Sequence, residues 1–167
     1  DGAHKTLFYL SIDFLRDDPV AAYTQVEGID RRTLLPGSHA WELGVWSAIR
    51  LRDASRLEAA AEAIDAQLGR RFVVMRQTAA AAVTALVGDV DAAGPMFVAA
   101  IALCEKVDGP LSAMILRALF GELLPDSDPA RNEAGKAHDW FVAKEAAGYL
   151  ELFGHVWPSA VSPAEAG

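Results

Sequence analysis

The chain has 167 residues, 52% of them hydrophobic, and a formal net charge of −8. That length suffices for one domain with a substantial core; no apolar run approaches the ~20 residues that span a bilayer, and the acidic balance disfavours nucleic-acid partners. A single cysteine, Cys104, excludes an internal disulfide and any cysteine-based zinc site.

Read in chain order, the sequence predicts helices throughout and no strand. The first two cover 4–15 and 20–29, with Asp17-Asp18-Pro19 between them; Pro19 suits a first helical turn, where its missing N–H is not needed. The stretch from Gly28 to Ser38, holding Arg31, Arg32, Pro36 and Gly37, reads as an irregular linker. A second pair covers 39–51 and 54–68, with Ser38 as N-cap, Asp53 in the turn and Gly69 as terminator. A third covers 71–87 and 91–107 around Gly88-Asp89. In it, the neighbours of Cys104 are Ile101, Ala102 and Leu103, which predict a buried thiol. A fourth covers 111–124 and 129–146 around Asp126-Ser127-Asp128-Pro129. After Gly148, the residues Tyr149, Leu150, Leu152, Phe153, Val156 and Trp157 form a short apolar segment suited to covering the end of the array. The expected domain runs over 1–153, and 154–167 is expected to be a poorly ordered tail. The opening Asp1-Gly2-Ala3 carries neither an initiator Met nor a signal-peptide pattern, so the chain reads as an excised, cytoplasmic piece of a longer protein.

The four turns repeat. Asp17, Asp53 and Asp89 are spaced 53 − 17 = 36 and 89 − 53 = 36 residues apart, and Asp126 follows at 126 − 89 = 37. Each follows a helical stretch and precedes another, so its carboxylate is expected to cap the second helix and favour its positive dipole end. A fixed period of this length is the mark of stacked helix pairs.

With the turns aligned, the chain resembles a tetratricopeptide-type repeat over residues 4–146. The family's small crossing positions fall on Ala21, Leu57, Ala93 and Ala130, then on Gly28, Ile64, Ala100 and Ala137. The bulky position between them is kept only by Phe97, and departs from the pattern at Gln25, Ala61 and Ala134. In the first helices the small position holds Ala81 and Ala118, but Tyr9 and Val45 elsewhere. Trp41 stands where the family's aromatic is common. The resemblance implies an all-α superhelix of about four antiparallel pairs (4–29, 39–68, 71–107, 111–146) that binds proteins. The Ala-rich stretches Gly88–Ala93 and Ala137–Phe141 are similar to the helical repeats that follow cyclase or ATPase modules in large bacterial signalling proteins.

No phosphate loop, nucleophile elbow or spaced metal motif occurs, and no cofactor or metal is expected. His4, His39, His138 and His155 form no spaced motif, and in His138-Asp139 the adjacent side chains are expected to diverge. Glu58, Glu62 and Asp65 read as a solvated helix face. In a tetratricopeptide-like stack the first helix of each pair lines the concave side. On that side His39, Glu42, Trp46 and Arg50 advance along one helix face; Met75, Thr78, Ala82 and Leu86, then Ser112, Ile115, Leu119 and Glu122, match them. The expected binding face is therefore His39, Glu42, Trp46, Arg50, Thr78 and Glu122, with Trp46 as anchor and Arg50 as selector of an acidic group. The alternative is that Trp46 is core. The expected function is non-catalytic: an interaction or regulatory module that binds a peptide, a neighbouring domain or a second copy. A groove closing over a small effector, and an all-α enzyme, are the alternatives.

Overall fold

The computed structural model describes Phe14 and residues 16–27, 40–65, 70–107 and 109–157. The expected helix over 4–15 apart from Phe14, the linker 28–38, His4, His39, Gly69 and the tail beyond Trp157 lie outside the described residues. Those described form eight α-helices and no strand: α1 Pro19–Glu27, α2 Ala40–Arg50, α3 Ala54–Asp65, α4 Arg70–Leu86, α5 Val90–Val107, α6 Pro110–Leu123, α7 Asp128–Ala143 and α8 Ala147–Leu152.

The recurrent turns have a common build. At the end of α2, Arg52 N–H donates to the Ile49 carbonyl and Asp53 N–H to that of Ala48. At the end of α4, Gly88 N–H donates to Ala85 and Asp89 N–H to Thr84. These paired bonds close a helix through one residue at positive φ, here Arg52 at 52° and Gly88 at 94°. The next residue then caps the following helix: Asp53 Oδ1 accepts Arg56 N–H at 3.0 Å and Asp89 Oδ1 accepts Ala92 N–H at 3.1 Å. One residue thus ends one helix and starts the next, which makes the turn short and its aspartate periodic.

Two of the expected caps differ. Before α1 the capping carboxylate is Asp18, which accepts Ala21 N–H at 2.9 Å. Asp17 holds the positive-φ position instead, so its carboxylate points away from the helix start. Before α7 the N-cap is Ser127, with no side-chain capping bond. The longer turn, with Pro125 ahead of Asp126, moves Asp126 out of register, and it makes no cap.

Small residues let the helices approach. Ala81, Ala93, Ala100, Ala118, Ala130 and Ala137 are wholly buried. A Cβ on Gly121 would stand 2.6 Å from the Ala134 Cβ and 2.9 Å from Val156 Cγ1, closer than carbon atoms pack, so α6, α7 and the C-terminal segment meet there because Gly121 has no side chain. Phe97 and Phe120 stack at 4.8 Å between α5 and α6. α6 is buried nearly all round. It packs on α5 and α7 and also against α2, which touches α4 as well.

Beyond α8 the packed chain continues past the expected boundary at Phe153. Trp157 lies against Phe141 and Phe153, and its indole N–H donates to the Leu150 carbonyl at 3.0 Å. An amphipathic ring with its donor satisfied holds residues 154–157 in place.

Candidate functional site

The residues expected to line an open concavity come together, but inside the molecule. α2 lies against both α4 and α6, so the stripe Glu42–Trp46 faces Thr78 of α4 and Ser112 of α6 across a closed gap. Glu42 is 2% exposed, Trp46 8%, Thr78 2% and Ser112 5%. With Cys104 and Leu116 they surround about 10 Å³ of space, room for about one water. Thr78 Oγ1 donates back to the Val74 carbonyl at 2.9 Å. Trp46 packs against Phe14 with ring centroids 5.8 Å apart. Of the two readings of Trp46, its burial supports the core residue rather than the exposed anchor. The cause is that α2 packs against α4 and α6 at once.

The C-terminal end of the same stripe forms an ion cluster. The Arg50 side chain is 5% exposed. Its Nη2 lies 2.7 Å from Asp17 Oδ1 and its Nε 3.3 Å from Glu122 Oε2. The guanidinium also lies over the rings of Phe14 at 5.9 Å and Phe153 at 5.7 Å, within cation–π range. His155 Nε2 stands 3.5 Å from Glu122 Oε1 on the exposed side. Arg50 is therefore paired with Asp17 and Glu122 instead of presenting a free charge to an acidic group, although its Nη1 is buried with no hydrogen-bond partner among the described residues. His155 carried no signal in the sequence; it arrives because Phe153 docks on Arg50.

A second cluster, buried at Arg117 and Glu133 and exposed at Glu105 and Lys136, links α5, α6 and α7. Arg117 Nε donates to Glu133 Oε2 at 2.6 Å and Nη2 to Glu105 Oε1 at 2.7 Å. Lys136 Nζ donates to Glu133 Oε1. Burial pushes the Glu133 carboxyl up, but the Lys136 and Arg117 hydrogen bonds and charges outweigh it and hold it below its ordinary value. Burial lowers the Arg117 guanidinium, and the bonds from Glu133 and Glu105 more than reverse this. On the surface, His138 Nδ1 and Asp139 Oδ1 approach to 3.3 Å: the adjacent side chains do meet, as an exposed pair. Among the described residues no group of three His, Cys, Asp or Glu is placed to hold a metal ion, and no helix is long and apolar enough to cross a membrane.

A larger open concavity lies elsewhere. A groove of about 740 Å³ runs between the start of α5 and the α6–α7 turn. Val90, Pro95, Leu124, Pro125 and Pro129 supply its apolar surface, with Asp91, Asp126, Ser127 and Arg52 around it. Gly94 lines it too, and a Cβ there would meet nothing within 4 Å. Arg52 Nη2 donates to the Glu122 carbonyl at 3.0 Å. Sequence reasoning passed over this groove. Its one signal was the proline pair flanking the shifted Asp126, which reads as turn chemistry until the turn is seen beside α5. No family model, curated protein or solved structure matches the chain.

Proposed function

We propose that the chain is a non-catalytic interaction module, a tetratricopeptide-like array of helix pairs that holds a protein segment in the groove between α5 and the α6–α7 turn. The groove carries this reading: it is open, it has an apolar surface built by residues on rigid helix ends, and a few polar groups stand at its edges, the composition that suits segment recognition. The recurring helix-closing turns at Arg52-Asp53 and Gly88-Asp89 and the buried alanines at the crossings support the array. The interior stripe of Glu42, Trp46 and Thr78 serves as core in this reading. An effector in the interior finds room for about one water, far below the several hundred Å³ of a ligand pocket.

The test is selection from a displayed library of random peptides on the purified protein. Selected peptides are expected to lose binding to Gly94→Leu, which fills the groove from a position with open space, and to keep it with Glu62→Gln on the exposed face of α3. Peptides that bind Gly94→Leu as well as wild type would overturn the assignment.

A further inference from the structure

The chemistry of the groove selects among protein segments, and the inference rests on reading it as a binding site. Two carboxylates line it, Asp91 and Asp126. Both are exposed, and among the described residues neither makes an ion pair or a side-chain hydrogen bond. The other turn carboxylates are committed: Asp53 and Asp89 cap helices, and Asp128 pairs with Arg131. Pro95 lies inside α5 and has no N–H to give to the Asp91 carbonyl one turn earlier. Pro125 and Pro129 likewise present no donor to the groove. The lining side chains that donate are the Ser127 hydroxyl and Arg52, whose guanidinium is partly engaged with the Glu122 carbonyl; α5 and α7 also begin beside the groove and bring first-turn N–H groups to it. An apolar groove with two unpaired carboxylates against one partly engaged guanidinium, on a chain of net charge −8, complements a partner that brings positive charge.

We infer that the groove takes a cationic peptide segment, in which Lys or Arg side chains reach Asp91 and Asp126 while intervening apolar residues lie on Val90, Pro95, Leu124 and Pro125. An acidic segment would set its charges against both carboxylates, a mismatch that costs affinity through repulsion.

The experiment is fluorescence anisotropy with a labelled synthetic peptide of repeated Leu, Pro and Lys, and a matched peptide with Glu in place of every Lys. The Lys peptide is expected to bind and to weaken as salt rises. The double variant Asp91→Asn/Asp126→Asn, its helix content verified by circular dichroism, is expected to bind it about tenfold less tightly, and Gly94→Leu to abolish binding. Glu58→Gln/Glu62→Gln, which removes the same two negative charges from another face, is expected to bind as wild type does. Equal loss in that control would overturn the proposal by reducing it to bulk charge. Tighter binding of the Glu peptide, abolished by Gly94→Leu, would overturn the cationic class while the groove stood. Binding of neither peptide, or binding indifferent to Gly94→Leu, would overturn both.

Discussion

At the scale of single residues, four aspartates with the same apparent place in the sequence do different work. Asp53 and Asp89 accept the N–H groups of Arg56 and Ala92. Asp126 accepts none, and Asp17 reaches Arg50. Asp53→Ala and Asp89→Ala should each cost about 1 kcal/mol through loss of a cap. Asp126→Ala should stay within about 0.5 kcal/mol of wild type, as exposed substitutions do. Urea denaturation of the three variants checks this; equal losses at all three would mean that the turn itself, and not the capping bond, needs the carboxylate. The period was legible because an acidic residue in a short turn is a local signal. Which aspartate faces the helix was not, because it depends on the one residue that takes positive φ, and Asp17 and Asp18 are equally able to supply a cap.

At the scale of elements, α5, α6 and α7 are joined by small crossing residues and by the Arg117–Glu133 pair, whose side chains are 9% and 11% exposed. Arg117→Ala leaves Glu133 with the half-exposed Lys136 alone and should cost about 1.5–3 kcal/mol, the range of a lost hydrogen bond to a charged group, more than loss of the surface pair Arg131–Asp128 would. The Glu133 carboxyl is held below its ordinary value of 4.5. A group depressed in the folded state contributes stability in full above its unfolded value, and that contribution is lost as pH falls through the folded one. The thermal midpoint should accordingly drop on acidification below about pH 4.5, and Glu133→Gln should be less stable at neutral pH with a shallower fall on acidification. An identical slope in the variant would assign the acid sensitivity to other carboxylates. Helix periodicity placed these helices within a few residues of their observed ends, because capping and proline signals are local. It could not pair Arg117 with Glu133, since each residue alone reads as an ordinary surface charge.

At the scale of the molecule, α2 decides the outcome. Its stripe of Glu42, Trp46 and Arg50 is packed against α4 and α6, so the face expected to bind a partner is internal. Arg50 touches Asp17 ahead of α1, Glu122 at the end of α6 and Phe153 after α8, and so connects the beginning, middle and end of the described chain. Trp46→Ala should cost about 3–5 kcal/mol, as truncation of a buried aromatic does, and leave peptide binding to the α5–α7 groove intact in whatever fraction remains folded. Arg50→Met leaves Glu122 with His155 alone, should cost about 2 kcal/mol and should speed hydrogen exchange at both 16–18 and 150–157. Faster exchange in only one of these segments would show that Arg50 does not couple them. The sequence by itself determined the all-helical class, the approximate helix positions and the 36-residue spacing of the turn aspartates, because turn chemistry and helical periodicity act over a few residues. It also singled out the residues that converge on α2. Only the tertiary structure decided that these residues meet with their side chains inward and that the open groove lies at the helix ends. That choice depends on α2 packing against α4 and α6 at once, a contact between segments far apart in the chain that no local pattern encodes.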